Sequence, residues 1–223
     1  MSVSLPIPCL CLVTDAGIAS DQLVRKIGRA VEGGVDLVQL RDKTLSGGRL
    51  LDLARSIVQV IDGRAKLVVN ERADVALISA AQGVQLGEGA LPVAAAREIL
   101  GDGLLIGRSV HSTELAVQAE SDGADFLVVG TMYPTRSHPG LLPAGPGLMS
   151  DISARCQIPL IGIGGVVPEN VHELIMAGAS GVAVITNILA AEDTKAAAEQ
   201  LKDTLVASWS AKINPVDIGS GDG

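Results

Sequence analysis

The chain has 223 residues and a formal net charge of -8, from 25 acidic against 17 basic side chains. Hydrophobic residues make up 48% of it and charged residues 19%, which excludes a disordered chain, and the acidic balance leaves no basic footprint for nucleic acid or an anionic membrane. Phe126, Tyr133 and Trp209 are the only aromatic residues, so base stacking on aromatic platforms is excluded as well and the core must be aliphatic.

Short apolar runs at 9–14, 35–40, 66–69, 83–86, 104–106, 125–129, 158–163 and 181–185 read as eight strands. Between them, 21–32, 50–61, 94–100, 113–121, 169–176 and 194–207 space their apolar residues at three and four, the helical period. Regular alternation of this kind predicts α/β architecture, a single (β/α)8 TIM barrel over 1–211, with 212–223 as a disordered tail lacking an apolar period. An open doubly wound sheet is the alternative. Eight evenly spaced units and no glycine-rich dinucleotide fingerprint after the first strand favour closure.

A weak repeat marks the joints from helix to strand: Gly33-Gly34-Val35-Asp36, Gly123-Ala124-Asp125 and Gly178-Ala179-Ser180-Gly181. Glycine there predicts a left-handed helix C-cap and a tight turn. The stretch 131–147 is too rich in glycine and proline to be an ordinary connection and reads as a rim loop. Cys9, Cys11 and Cys156 have neither metal-ligand nor disulfide-framework spacing, so buried, reduced thiols are expected. No secretory leader pattern and no run of about 18 apolar residues is present, which predicts a cytoplasmic protein without a membrane partner.

The candidate chemistry lies where strands end. Ile161-Gly162-Ile163-Gly164-Gly165 and Val184-Ile185-Thr186-Asn187 close strands seven and eight, where barrels often hold a phosphate on backbone N–H groups; the alternative is glycine that merely relieves a crowded turn. Gln39, Arg41 and Lys43 alternate at the end of strand two and point one way, two cations and an amide suited to a phosphate or diphosphate, or else a solvated loop end. Asn70 suits a polar heterocycle or a helix N-cap, and Glu71 a metal or a base. After strand five, Ser109 or His111 are placed to orient a ligand, with His111 equally suited to capping the next helix. Thr135, Ser137 and His138 sit on the rim loop, and His172 sits on a helix surface.

In order and spacing, these segments resemble the thiamine phosphate synthase and TenI family. The likeness runs over nearly the whole chain, through Leu12-Val13-Thr14-Asp15, Gln39-Leu40-Arg41-Asp42-Lys43, Val68-Val69-Asn70, Gly83-Val84-Gln85-Leu86-Gly87, Gly107-Arg108-Ser109-Val110-His111, Tyr133-Pro134-Thr135 and Ile163-Gly164-Gly165. The resemblance implies an enzyme of thiamine biosynthesis that condenses a hydroxymethylpyrimidine diphosphate with a thiazole phosphate and releases diphosphate with Mg2+. It implies that Thr135, Gly165, Ile185 and Thr186 hold the thiazole phosphate, while Gln39, Arg41, Lys43, Asn70 and Ser109 hold the pyrimidine diphosphate. Arg41, Lys43 and His138 then act in catalysis, His138 standing where the family has a lysine. The family's two metal-binding aspartates fall at Glu71 and Ala90, so one carboxylate is lengthened and the other is gone. Two alternatives stay open: a TenI-type thiazole tautomerase, although that branch's proton-transferring histidine falls at Thr131, and a non-catalytic binder of thiazole or thiamine phosphate. A homo-oligomer is also left open.

Overall fold

Each of the eight apolar runs forms a strand, and the strands close on themselves. The computed structural model describes residues 4–135 and 142–214. In chain order the elements are β1 (Cys9–Val13), α1 (Ser20–Glu32), β2 (Leu37–Leu40), α2 (Gly47–Ile61), β3 (Lys66–Asn70), α3 (Ala73–Ser79), β4 (Gly83–Leu86) and α4 (Val93–Leu100). There follow β5 (Leu105–Val110), α5 (Thr113–Ser121), β6 (Phe126–Gly130), α6 (Gly145–Ser153), β7 (Leu160–Ile163), α7 (Pro168–Met176), β8 (Gly181–Val184), the single turn α8 (Thr186–Leu189) and α9 (Thr194–Ile213). All eight strands pair in parallel with their neighbours in sequence, and β8 returns to β1. The (β/α)8 barrel is therefore closed.

Strands buried on both faces need apolar residues at every position, which explains the unbroken runs in the sequence. One set of side chains, including Cys9, Cys11, Leu37, Val68, Leu105, Phe126, Val128, Ile161 and Ala183, fills the barrel interior. The alternate set, including Leu10, Leu12, Val38, Leu67, Val84, Ile106, Leu127 and Val182, packs outward against the helices. The three cysteines are free and buried, and burial pushes the Cys11 thiol up to about 12, so it stays protonated and inert. Among the described residues no helix is long and apolar enough to cross a membrane.

The repeat at the helix-to-strand joints has a physical meaning. Gly34, Gly123 and Gly178 adopt φ of 99°, 93° and 115°, the left-handed turn that glycine accepts at little cost. Just beyond each, a short polar side chain reaches back to the neighbouring odd-numbered strand. Asp36 accepts from Leu10 N at 2.7 Å, Asp125 from Ile106 N at 2.7 Å and Ser180 from Leu160 N at 3.4 Å. Gln82, before β4, does the same for Leu67 N at 2.8 Å, completing a fourfold pattern that the sequence repeat shows only in part. Two of the caps carry a cation: Lys202 Nζ lies 2.7 Å from Asp36 and Arg97 2.7 Å from Asp125. Lys202 also donates to Pro8 O, so α9 is bolted to the foot of β1 and β2.

Several boundaries differ from the sequence reading. The segment Gly107-Arg108-Ser109-Val110 belongs to β5 instead of following it, because these residues continue the ladder with β6. The rim loop is shorter than expected at its far end, since α6 begins at Gly145 with a proline in its first turn. Residues 212 and 213, assigned to the tail, are the last turn of α9; residues 215–223 lie outside the described part. Asn70 and His111 are not helix caps: α3 starts after Arg72, and Ser112 caps α5 by accepting from Leu115 N.

Replacing Asp36 with Ala leaves the Leu10 N–H without its partner and the largely buried Lys202 ammonium with the Pro8 carbonyl but no counter-charge. The expected loss is about 2–4 kcal/mol of unfolding free energy, read from the shift in the urea midpoint; a shift under about 0.5 kcal/mol would contradict this role for the cap.

Candidate active site

At the carboxyl ends of the strands the barrel interior turns polar. Gln39, Asn70, Gln85 and Ser109 lie at inward-facing positions of β2 to β5, above the apolar layers of the core. They form two pairs. Gln39 Nε2 donates to Asn70 Oδ1 at 3.0 Å, and Gln85 Nε2 donates to Ser109 Oγ at 3.1 Å. The first pair leaves Gln39 Oε1 as an acceptor and Asn70 Nδ2 as a donor, the two functions that a ring nitrogen flanked by an amino group requires.

Past the end of β2, Arg41 is clasped through its backbone: its N–H donates to Thr14 Oγ1 at 2.8 Å, and that hydroxyl donates to Arg41 O at 3.1 Å. Among the described residues the Arg41 guanidinium makes no hydrogen bond or ion pair, which leaves its fork of donors for an anion. Lys43 Nζ stands 3.5 Å from Glu71 Oε1, with the lysine side chain 58% exposed, a loose pair that an incoming phosphate can displace. Glu71 sits at φ 61°, a left-handed backbone that costs a non-glycine residue on the order of 1 kcal/mol and is held by its N–H donating to Gln85 O at 2.9 Å. The turn presents the carboxylate at the rim between Lys43 and Gly87.

Glu71 is thus the one carboxylate where metal binding was expected. Ala90 brings only a methyl group, and among the described residues no three His, Cys, Asp or Glu side chains gather to hold a metal. Of the residues present, Glu71 is the one that would hold Mg2+, a single carboxylate compatible with an ion that keeps much of its hydration and takes few protein oxygens.

The second candidate site is built from main chain. Gly164 and Gly165 adopt φ of 99° and 63°. A Cβ on Gly165 would lie 2.5 Å from Pro134 O and 2.8 Å from Tyr133 Cβ, so the loop after β7 touches the loop after β6 where only glycine fits. At Gly165 the glycine thus relieves a crowded turn, the alternative named for it in the sequence. Side chains then lock the loop by its carbonyls: Asn170 Nδ2 donates to Gly165 O at 3.0 Å and Asn187 Nδ2 to Val166 O at 2.6 Å. Asn170 Oδ1 accepts from Val167 N at 2.9 Å. The Gly165 N–H has no partner among the described residues. After β8, Ile185 is the N-cap position of α8 and Thr186 opens that helix, whose first amides lack helical partners. Tyr133 steadies the base of the rim loop by donating from its hydroxyl to Glu173 Oε2 at 2.7 Å.

The structure brings Gln39, Asn70 and Ser109 into one layer, sets Arg41, Lys43 and Glu71 on the rim beside them, and places Gly165, Ile185 and Thr186 together at β7 and β8. Thr135 is half-buried at the end of the described segment, whereas Ser137 and His138 lie outside the described residues. His111 pairs with Glu88, and His172 is exposed on α7, as expected. Sequence reasoning missed Asn170, Asn187 and Gln85 as site-building residues. It also missed Arg108, whose guanidinium reaches the carbonyls of Gly87, Glu88 and Leu91 and fixes the loop bearing Ala90. A cavity of about 320 Å³ lies to the side between α4 and α5; it meets the mouth only at Ser109 and Ala90 and is not the site itself.

Comparison with known proteins places the chain in one family. Residues 10–188 match the family model described as thiamine monophosphate synthase. A thiamine-phosphate synthase of Chlorobium luteolum is 42% identical over 196 residues, covering 87% of this chain and 91% of that protein. One from Haloquadratum walsbyi is 40% identical over 194 residues, covering 85% and 86%. The solved thiamine phosphate pyrophosphorylase of Pyrococcus furiosus superposes with a TM-score of 0.82 at 33% identity, over 90% of this chain and 96% of that one. A 3-hexulose-6-phosphate synthase, at 19% identity and a TM-score of 0.72, shares the fold alone. A closed barrel with these residues at its mouth, matched over most of its length, belongs to the thiamine monophosphate synthase family.

Proposed function

We propose that this chain is a thiamine-phosphate synthase, a transferase that joins a hydroxymethylpyrimidine diphosphate to a thiazole phosphate. The observation that carries the reading is the pairing of two anion sites around one polar layer. Arg41 and Lys43 flank β2, the Gly165 and Thr186 amides close β7 and β8, and Gln39, Asn70 and Ser109 lie at inward positions of the barrel.

The reaction matches what these groups do. The bond from the pyrimidine's methylene carbon to the diphosphate oxygen breaks, and its electron pair leaves with the diphosphate. The resulting cation is stabilised by the aminopyrimidine ring, and the thiazole nitrogen's lone pair forms the new carbon–nitrogen bond. No proton need move, so the site requires charge neutralisation and orientation more than a base. Gln39 and Asn70 orient the pyrimidine edge, Arg41, Lys43 and Ser109 hold the leaving diphosphate, and the main-chain amides with Thr135 hold the thiazole phosphate so that its nitrogen faces the reacting carbon. Mg2+, when bound through Glu71 and the diphosphate, supplies further neutralisation of the leaving group. His138 adds a cation on the rim loop when protonated. The tautomerase reading would need Glu71 or His138 to move the proton, because Thr131 stands where that branch has its proton-transferring histidine.

Both substrates incubated with the enzyme and Mg2+ are expected to give thiamine phosphate and diphosphate; absence of product at high enzyme concentration would refute the proposal. Arg41→Ala is expected to lower kcat/KM for the pyrimidine diphosphate by about 10- to 100-fold, the worth of a charge-assisted hydrogen bond, with a change under twofold arguing against its role. Restoring a carboxylate with Ala90→Asp is expected to lower the Mg2+ concentration for half-maximal rate by several-fold, whereas an unchanged Mg2+ dependence would place the ion away from that loop.

A further inference from the structure

Gln85 is 1% exposed, and its Oε1 is the one buried side-chain oxygen or nitrogen among the described residues without a hydrogen-bond partner. A buried carbonyl left unsatisfied costs stability, and an apolar side chain of similar volume would avoid that cost, so stability does not explain a glutamine here. Its surroundings hold it in place. A Cβ on Gly107 would overlap both Gln85 Oε1 and the Phe126 ring, and the Gln85 backbone is in register with Asn70 on one side and Gly107 on the other. The one hydrogen-bonded group of its side chain is Nε2, which donates to Ser109 Oγ at 3.1 Å.

A serine hydroxyl has one proton and two lone pairs. With a lone pair occupied by the Gln85 amide, Ser109 keeps its own proton, which no described residue accepts. We propose that Gln85 is a positioning residue that commits the Ser109 hydroxyl to act as a donor toward an anionic oxygen of the diphosphate substrate. The glutamine never touches the substrate. It prevents the serine from spending its proton inside the barrel. This inference rests on the reading of Ser109 as a ligand of the diphosphate.

Steady-state kinetics and thermal unfolding of Gln85→Met, Ser109→Ala and the double variant separate the two. Met removes the orphaned carbonyl together with the amide donor, so Gln85→Met is expected to melt at or above the parent temperature while kcat/KM for the pyrimidine diphosphate falls by about five- to twentyfold. Ser109→Ala is expected to fall at least as far, and the double variant no further than Ser109→Ala alone. Gln85→Glu, whose carboxylate accepts the serine proton, is expected to lose more activity than Gln85→Met. Parent kinetics in Gln85→Met beside an impaired Ser109→Ala overturns the inference and leaves the site reading standing, as do additive losses in the double variant. Parent kinetics in Ser109→Ala overturns the reading of Ser109 and the inference with it.

Discussion

Eight parallel strands of four to six residues can close only if every second side chain fits on the barrel axis. That constraint decides what can be placed where. Low on the axis, Cys9, Leu37, Leu105 and Phe126 fill the interior without polar atoms that need partners. Higher up, where β2 to β5 meet solvent, the same inward register delivers Gln39, Asn70, Gln85 and Ser109, and each polar side chain finds a neighbour one strand away. A polar layer and an apolar core are thus made by one alternation, and the polarity of four residues separates them.

The closed ladder also leaves amides at its lower end that no strand satisfies. Asp36, Gln82, Asp125 and Ser180 take these, one per odd-numbered strand, and the Lys202 and Arg97 partners tie helices to the same points. Stability is concentrated at this end of the barrel. The upper end is then free to carry features that a stability optimum would not select: the left-handed Glu71, the loose Lys43 pair and, among the described residues, an Arg41 guanidinium and a Gln85 carbonyl without partners.

Much of this was legible in the sequence because it is local. Apolar runs with glycine joints mark the βα units; five of the eight strands fall wholly within the runs, and β3, β5 and β6 begin in them and continue past their ends. Residues at strand ends, such as Gln39, Arg41, Asn70 and Gly165, announce themselves by being polar or glycine where the run stops. What could not be read depends on partners distant in the chain. Nothing around Asn170 or Asn187 states that each will hold a carbonyl of the 165–166 turn, and Arg108 looks like an inserted charge until its guanidinium is seen on three carbonyls 17 to 21 residues away. The continuation of β5 through Ser109 was missed because Gly107, Arg108 and Ser109 are poor strand formers that tertiary pairing with β6 overrides. The sidedness of Gln85 follows from its register, but its missing partner is visible only in three dimensions.

The main-chain cradle at β7 and β8 is the feature on which the functional account turns, since the polar layer alone would suit many small heterocycles. A crystal structure of the protein with the thiazole monophosphate tests it most directly. The account predicts phosphate oxygens within hydrogen-bond distance of the Gly165 and Thr186 amides, with the thiazole ring directed toward Gln39 and Asn70. A phosphate bound elsewhere, or a cradle left empty at saturating ligand, would contradict it.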